Sequence, residues 1–265
     1  YLTGLSSEDP SLFCYNKFEK NLIEEGMIKV DANHLSKRLA TVAQYVPDGA
    51  RLADIGSDHA YLPAALLIQN RIRYAVAGEV AKGPFENEQK EIQRLGFQEQ
   101  LIPRLADGLA AVHQDDQINV VTIAGMGGSL IARILDEGQA QLIGVRRLIL
   151  QPNVGENRVR EWLMRHQYQI VAEQMVAEDG HVYEVIVAEP TVCPVRYGAK
   201  ELLFGPFLLE KPTAIFITKW QQELERCQNA VNQMHQAATI PVERLQRMQQ
   251  KIDLIKEVLS HGDGN

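Results

Sequence analysis

The spacing of apolar positions divides the chain into a leading helix, an alternating region and a helical tail. Between 33 and 46, apolar residues recur at steps of three and four, which predicts an amphipathic helix that ends before Pro47. From 50 to 190, short β-rich runs alternate with helical stretches, a pattern typical of a parallel sheet with crossover helices. We expect strands near 51–55, 74–79, 101–105, 118–123 and 147–151, followed by two more at about 168–176 and 181–188.

The last two predicted strands are joined by Glu178-Asp179-Gly180. Asp-Gly between two β-rich runs is a strong hairpin signal, because both residues accept the positive φ of a tight turn. A reversed terminal strand is typical of class I methyltransferase sheets, whereas a dehydrogenase sheet lacks it. The predicted fold class is therefore α/β, a class I, Rossmann-like methyltransferase sheet, and the helix over 33–46 is placed to cover its cofactor cleft.

After Pro190 the pattern becomes helical. Residues 191–211 are rich in Pro and Gly, and two heptad runs of apolar residues follow them. The first run is Trp220, Leu224, Cys227, Val231 and Met234, and the second is Leu245, Met248, Ile252, Ile255 and Leu259. We expect an antiparallel coiled-coil hairpin, paired within one chain because the runs are short. This favours a monomer over a dimer, although the sequence does not determine the oligomeric state. The predicted division is a methyltransferase domain over 27–190 and a linker with this hairpin over 191–265.

Candidate chemistry begins where the first predicted strand ends, at Asp54-Ile55-Gly56-Ser57-Asp58. A glycine at this point lets the backbone pass close to a ligand. A dinucleotide site would need G-x-G-x-x-G, but only Gly56 is present, and Asp58 stands where the second glycine belongs. The loop therefore favours a nucleoside without phosphates, above all S-adenosylmethionine. A tight turn with a capping aspartate is the alternative.

Polar and glycine residues end the following strands as well. Glu79 closes the second run and is suited to the ribose hydroxyls, and Asp107 after the third run is suited to the adenine. The fourth run ends in a glycine-rich segment that leaves room for the methionine end of the cofactor. The predicted cofactor-binding residues are Asp54, Gly56, Ser57, Glu79, Val80, Asp107, Gly108, Ala124, Gly125 and Met126.

Four segments together resemble one family. They are Asp54-Ile55-Gly56-Ser57-Asp58-His59-Ala60-Tyr61-Leu62-Pro63, Ala124-Gly125-Met126-Gly127-Gly128, Gln151-Pro152-Asn153 and Glu178-Asp179-Gly180-His181-Val182-Tyr183-Glu184. This combination is similar to the bacterial tRNA (adenine-22-N1)-methyltransferases, TrmK, from about Met27 to the C-terminus. The resemblance implies an enzyme that uses S-adenosylmethionine to methylate N1 of an adenine, position 22, in the D-loop region of tRNA.

The nucleophile in such a reaction is a ring-nitrogen lone pair, so no strong base is needed before attack. A carboxylate near the base would stabilise the positive charge that it gains, or accept the N6 proton. Asp58 is the candidate for this role, with helix capping as the alternative, and Asn153 is the second catalytic candidate. His59 is interpreted as a turn or capping residue. The predicted substrate-binding residues are Tyr61, Gly127, Gly128, Gln151, Pro152 and Arg158.

The charge of the chain qualifies this interpretation. A net charge of -7 and a pI near 5.6 argue mildly against a nucleic-acid partner. Residues 146–166 are nevertheless basic around Gln151-Pro152-Asn153, with five arginines against two glutamates, unless these form ion pairs on a solvated helix. Residues 1–26 carry five acids and two lysines, and we expect them to be a leader or an added extension.

The tail is a candidate second arm for gripping tRNA, or else a stabilising tail whose charges face water. Its candidate phosphate contacts are Lys211, Lys219, Arg226, Arg244, Arg247 and Lys251. No apolar run reaches the roughly 20 residues of a membrane span, and the three cysteines match no metal spacing. We therefore expect a cytoplasmic protein with no membrane or metal partner. The competing hypotheses are a methyltransferase for another RNA, a protein or a small molecule, and a non-catalytic cofactor-binding scaffold.

Overall fold

A computed structural model describes residue 32, residues 34–236 and residues 242–262, without the side chains of residues 58 and 261. The expected extension over 1–26 lies outside the described residues. The seven strands are β1 (Ala50–Ile55), β2 (Ile72–Glu79), β3 (Leu101–Leu105), β4 (Val120–Gly127), β5 (Arg147–Val154), β6 (Tyr168–Glu178) and β7 (His181–Pro190). The helices are α1 (Lys37–Gln44), α2 (Tyr61–Ile68), α3 (Lys82–Leu95), α4 (Gly128–Glu137), α5 (Glu156–Arg165), α6 (Ala199–Phe204), α7 (Pro206–Glu210), α8 (Ala214–His235) and α9 (Val242–Gly262).

The strands form one sheet in the order β3-β2-β1-β4-β5-β7-β6. The first five are parallel, and β7 lies antiparallel between β5 and β6. Asp179 and Gly180 both take positive φ, 49° and 76°, so the β6–β7 connection has the twist that a two-residue hairpin requires. The predicted class I methyltransferase sheet with its reversed terminal strand is confirmed.

Strands β4 and β5 extend further than the apolar runs predicted. Their pairing continues through Ala124 with Gln151, Met126 with Pro152 and Gly127 with Val154, with register shifts on either side of Met126. The irregularity coincides with Gly125, whose φ of +79° is left-handed. Residues expected in loops therefore lie on bulged strand ends, which hold them more firmly than a loop would.

Apolar layers cover both faces of the sheet, as a mainly parallel sheet requires. One layer includes Ile123, Leu148 and Trp162, and the other includes Leu52, Leu66 and Val187. The central strands β1, β4 and β5 are mostly buried between these layers, so their carboxyl ends sit on a rigid base.

A third apolar cluster joins the tail to the sheet. Phe204, Phe216, Trp220 and Ile255 pack together with Met175 of β6. Beyond this base, α8 and α9 pack against each other in opposite directions, with Lys251 Nζ 2.5 Å from Glu223 Oε1. The predicted helical hairpin is confirmed, and its base is packed on the methyltransferase sheet. The domain boundary at residue 190 stays a prediction.

Candidate active site

The carboxyl ends of β1 to β5 bring the predicted site residues to one edge of the sheet. Ile55 of β1 pairs with Gly78 of β2 and with Ile123 of β4, so the loops after these strands start side by side. In parallel sheets, ligands bind in the crevice outside such ends. We call this region, the ends of β1 to β5, the carboxyl edge.

The loop after β1 is tightly constrained. Gly56 has a φ of +70°, and a Cβ placed there would lie 2.0 Å from Met126 Cε, so the ends of β1 and β4 approach closely. His59 and Ala60 follow with positive φ values of 55° and 54°. Left-handed non-glycine residues cost of order 1–3 kcal/mol each. This turn sets the direction in which α2 leaves the loop and carries Asp58, whose side chain lies outside the described residues.

Asp54 lies beneath this loop. Its side chain is buried, and Thr122 Oγ1 of the neighbouring strand donates a hydrogen bond of 2.5 Å to Asp54 Oδ1. Burial raises the pKa of this carboxyl group, while the Ser57 and Thr122 hydroxyls and the charge of Arg38 act in the opposite direction. Thr122 was missed by sequence reasoning, because it stands inside an apolar run.

Glu79 and Val80 lie at the end of β2. Glu79 Oε1 accepts the backbone N–H groups of Val80 and Ala81, at 2.9 and 2.8 Å, which fixes the carboxylate next to the turn. Val80 is 67% exposed, and Leu105, opposite Glu79 on β3, is 49% exposed. These exposed apolar side chains are suited to contact a flat aromatic ring beside the carboxylate. Leu105 was missed by sequence reasoning.

Asp107 and Gly108 follow β3. The Asp107 residue is exposed and directly precedes a short 3-10 turn over Gly108–Ala111. Gly108 has a φ of +53°, and a Cβ there would lie 3.1 Å from Ile134 Cγ2. The glycine therefore has a packing reason in addition to its predicted place in the cofactor site.

Gln151 joins the ends of β4 and β5. Its side chain is fully buried, and its Oε1 accepts from Gly125 N–H at 2.9 Å and from Arg38 Nη1 at 2.7 Å. Gln151 Nε2 donates to Asn153 Oδ1 at 3.1 Å, and Asn153 Nδ2 donates to the Gly125 carbonyl at 2.9 Å. We call Gln151, Asn153 and Gly125 the amide network. It fixes the partly exposed Asn153 side chain in one orientation.

Arg38 of α1 was also missed by sequence reasoning. Besides its bond to Gln151, its guanidinium lies 5.5 Å from the centre of the Tyr183 ring. The backbone N–H groups of Lys37 and Arg38 donate to the Glu178 carboxylate, at 2.5 and 3.1 Å. The β6–β7 hairpin thus holds the first turn of α1 against the carboxyl edge. The only signal for this contact in the sequence was the resemblance of segment 178–184 to the family. That resemblance assigned no role to α1, which lies 140 residues earlier in the chain.

The remaining predicted substrate-binding residues are spread around this edge. The Tyr61 ring stacks on His59 at 5.2 Å between centroids. Gly127 has open space at its Cβ position, whereas a Cβ on Gly128 would lie 2.1 Å from the Gly155 carbonyl oxygen. Gly128 therefore has a packing reason to be glycine. Pro152 is buried, which places it beneath the surface that a substrate would contact.

The basic stretch over 146–166 is largely neutralised by ion pairs. Arg160 is completely buried between Glu173 and Glu184, and Arg147 pairs with Glu189. Arg158, 60% exposed, lies 3.2 Å from a Glu161 oxygen. The alternative of internal ion pairs describes this stretch better than one free basic surface. Among the described residues, no cluster of three or more His, Cys, Asp or Glu side chains could hold a metal ion.

Several of the tail cations are paired too. Lys219 Nζ lies 2.7 Å from Glu184 Oε1 and also contacts Glu156, and Arg226 and Lys251 both pair with Glu223. The mostly buried Lys219 therefore fixes the base of the tail to the sheet rather than offering a free charge. No helix in the described ranges is both long and apolar enough to cross a bilayer.

Comparisons with known proteins agree with this arrangement. A family model for tRNA (adenine(22)-N(1))-methyltransferase, TrmK, matches residues 52–257. The enzyme of that name from Bacillus subtilis is 42% identical over 234 residues, which cover 86% of this chain and 98% of the relative. The crystal structure of the B. subtilis m1A22 tRNA methyltransferase TrmK has a TM-score of 0.80 at 40% identity, covering 86% of this chain and 99% of that one.

A Streptococcus pneumoniae relative was solved in complex with S-adenosyl-L-methionine. Its TM-score is 0.77 at 46% identity, with 84% of this chain and 99% of that chain covered. M. capricolum TrmK, solved with S-adenosyl-homocysteine, has a TM-score of 0.76 at 26% identity over 85% of this chain and 98% of that one. With the family model matching most of the chain and the carboxyl edge carrying its motifs, the chain belongs to the tRNA (adenine(22)-N(1))-methyltransferase family, TrmK.

Proposed function

We propose that this enzyme, which transfers a methyl group from S-adenosylmethionine to N1 of adenine 22 in tRNA, aligns cofactor and base at the carboxyl edge. The observation that carries the proposal is the amide network, because it couples the strand end beside Gly56 to the strand end that presents Asn153. Alignment is the main demand of this reaction, since the attacking lone pair needs no prior deprotonation. Positioning of two reactants can supply several kcal/mol, up to about 7–11 in intramolecular models.

The carboxyl edge fits S-adenosylmethionine in shape and chemistry. Gly56 allows the ends of β1 and β4 to approach closely, and Glu79 holds a carboxylate beside exposed Val80 and Leu105, which suits a ribose and an adenine ring. The side of the site that suits the ribose and the adenine is completed by Asp107 and Gly108. The rest of the cofactor is surrounded by Asp54, Ser57, Ala124, Gly125 and Met126. When bound, the cofactor supplies an electrophilic methyl group on a sulfonium centre.

The acceptor base is placed next to Asn153 and Asp58. Asn153 is partly exposed, and because its orientation is fixed by Gln151 and Gly125, it can bind one edge of the adenine without first reordering. The Asp58 carboxylate stabilises the positive charge that the base gains, or accepts the N6 proton. Gln151 and the buried Pro152 act through Asn153 rather than by touching the base.

The rest of the substrate site is formed by residues around the opening of the cleft. Tyr61, at the start of α2, stacks on the displaced adenine, and Gly127 leaves space for it. Gly128 lets α4 start close to Gly155, and Arg158 contacts the RNA from the start of α5. The enzyme acts as a monomer in the cytoplasm.

Additional contacts to the RNA come from the tail. Lys211, Arg244 and Arg247 are exposed and carry no ion pair within the described part of the chain. They contact phosphates and supply binding energy that offsets the few kcal/mol needed to unstack the target adenine. The positive charge of these three residues favours RNA binding locally, although the whole chain has a net charge of -7.

The direct test is methyl transfer from labelled S-adenosylmethionine to an unmodified tRNA transcript. We expect incorporation with adenine at position 22 and none when guanine replaces it in an otherwise identical transcript. Equal incorporation into both transcripts would show that another nucleotide is the acceptor. No incorporation, with S-adenosylhomocysteine still bound, would favour a different substrate class.

A further inference from the structure

Five charged side chains form a buried cluster where the tail meets the sheet. Lys219 of α8 lies between two carboxylates, 2.7 Å from Glu184 Oε1 and in contact with Glu156. Glu184 also pairs with Arg160, whose Nε lies 2.8 Å from Glu173 Oε1. We call these five residues the buried charge cluster. Because a buried charge that loses its partner is costly, the cluster strongly favours one arrangement of the elements that it joins.

The buried charge cluster holds α5 at two points. Glu156 is the first residue of α5, and Arg160 lies one turn later on the same face of the helix. Glu156 is bound by Lys219 of the tail, and Arg160 by Glu184 of β7. Burial on its own would lower the pKa of Lys219, but the charges of Glu184 and Glu156 outweigh burial and raise it. The tail therefore supplies a stable cation that determines where α5 begins.

The beginning of α5 is close in the chain to the residue that presents the acceptor base. Asn153 precedes Glu156 by three residues. Between them, Gly155 has a left-handed φ of +75°, and a Cβ on Gly128 of α4 would lie 2.1 Å from the Gly155 carbonyl oxygen. A connection that is this short and this closely packed has little room to absorb a shift. Movement of Glu156 is therefore passed to the backbone of Asn153.

Asn153 is thus held from two directions. Gln151 and Gly125 fix its side chain from the sheet, and Glu156 fixes the chain that leaves it. We propose that Lys219 is a positioning residue for methyl transfer, which sets the place of Asn153 through Glu156. The inference rests on the proposed function and gives the tail a second role, in aligning the base as well as in binding RNA. A misplacement of about 1 Å far from the chemistry can lower a rate on the order of 100-fold.

The test measures methyl transfer in a single turnover, with enzyme and cofactor in excess over tRNA. Lys219→Met removes the cation, and Glu156→Gln removes one carboxylate charge while keeping the shape of the side chain. We expect each substitution to lower the rate constant about tenfold or more. Because Phe216 and Trp220 still hold the tail on the sheet, tRNA affinity by filter binding and S-adenosylhomocysteine affinity by calorimetry should change less than about twofold.

The double variant shows whether Lys219 acts through Glu156. If it does, the two substitutions are not additive, and the double variant is no slower than the slower single variant. Lys219→Arg keeps the charge and should restore part of the rate. Lys200→Met is the matched control, because Lys200 pairs with Glu257 and so joins α6 to the tail outside the buried charge cluster. Its rate constant should stay within about twofold of wild type.

Each other outcome overturns the inference. An unchanged rate constant in Glu156→Gln, or a fall that Lys200→Met reproduces, would show that the start of α5 is not set by the buried charge cluster. Multiplied losses in the double variant would leave Lys219 with a role in tail stability alone. Glu156→Gln and Lys200→Met decide the question even if Lys219→Met unfolds at the assay temperature. A wild-type protein that transfers no methyl group to tRNA would instead contradict the proposed function itself.

Discussion

Polar side chains at the carboxyl edge are held by partners on other strands, which keeps their geometry fixed. Thr122 of β4 bonds to Asp54 of β1, and Gln151 of β5 bonds to the Gly125 backbone of β4. Such hydrogen bonds contribute modestly to stability when made, but a buried group that loses its partner costs about 1–3 kcal/mol. The site is therefore sensitive to changes in residues that touch neither substrate.

Gln151→Leu tests this at the centre of the amide network. The variant removes the hydrogen-bond partner of Arg38 Nη1, of the Gly125 N–H and of Asn153 Oδ1. We expect the free energy of unfolding to fall by about 2–3 kcal/mol, and kcat to fall more than the tRNA KM rises. Urea unfolding and steady-state kinetics measure both. Gln89→Leu, on the exposed surface of α3, is the control, and equal effects of the two substitutions would contradict the role of the network.

Asp58→Asn tests the charge at the acceptor base. Because only a negative charge is removed, we expect methyl transfer to be nearly abolished. S-adenosylhomocysteine affinity should stay within about tenfold, roughly 1.4 kcal/mol. Single-turnover transfer and calorimetry make the measurements. A loss of cofactor binding of more than tenfold would instead place Asp58 in the cofactor loop.

At the scale of single residues, the candidate site residues were predicted from the positions at which the expected strands end. Asp54, Glu79, Asp107 and Asn153 were predicted because each closes or follows an apolar run, and they lie at the carboxyl ends of strands on one edge of the sheet. Arg38 could not be found this way, because its contacts to Gln151 and Tyr183 depend on how a helix packs across the sheet. The hydrogen bond of Thr122 depended on the register of β1 with β4.

At the scale of elements, β2 and β3 are tied together by the 3-10 turn over Gln114–Asp116. Asp116 accepts hydrogen bonds from Tyr74 Oη at 2.8 Å and from the His113 N–H at 2.7 Å, and it also pairs with Arg104. Burial on its own would raise the pKa of Asp116, but the hydrogen bonds and charge of Arg104 outweigh this and lower it to about 2. The ionised form is therefore stabilised by the fold.

This shift predicts how stability depends on pH. A carboxyl group whose pKa is lowered in the folded state stabilises the fold above its unfolded pKa of about 3.9, and this contribution is lost as the pH falls through the folded pKa. Between about pH 4 and pH 2, wild type should lose on the order of 2 kcal/mol more than Asp116→Asn. Urea unfolding at a series of pH values measures this difference. Parallel losses in the two proteins would show that Asp116 is not linked to folding.

Secondary-structure elements were predicted well where the periodicity of apolar residues is strong. They were predicted less well where pairing with a neighbouring strand determines the backbone conformation. The alternating runs and Asp179-Gly180 predicted the sheet and its terminal hairpin, and the heptad runs predicted α8 and α9. The bulged ends of β4 and β5 were expected as loops, because glycine, proline and polar residues interrupt the apolar pattern there. Only pairing between these strands keeps them extended.

For the whole molecule, the tail and the sheet form one packed structure within the described residues. Trp220 and Phe216 join the cluster that includes Met175, and Lys219 lies between Glu156 and Glu184. These contacts join residues far apart in the chain, so composition and local charge could not predict them. Removing the whole tail would expose this cluster, and point substitutions are the better test of its role.

Reversing charge on the outer part of the tail tests its contact with tRNA. We expect Arg244→Glu with Arg247→Glu to weaken tRNA binding at least tenfold and to reduce the salt dependence of binding, because two phosphate contacts are lost. S-adenosylhomocysteine binding should not change. Arg133→Glu on the exposed face of α4 is the control. Filter binding at several salt concentrations measures the effect, and unchanged affinity and salt dependence would mean that the tail does not contact the RNA.

The chemical identity and position of the product test the account most directly. A tRNA transcript methylated by the wild-type enzyme is digested to fragments and nucleosides and examined by mass spectrometry against N1- and N6-methyladenosine standards. We predict N1-methyladenosine, confined to the fragment that contains position 22. N6-methyladenosine, or a methyl group in any other fragment, would contradict the proposed alignment of the base at the carboxyl edge.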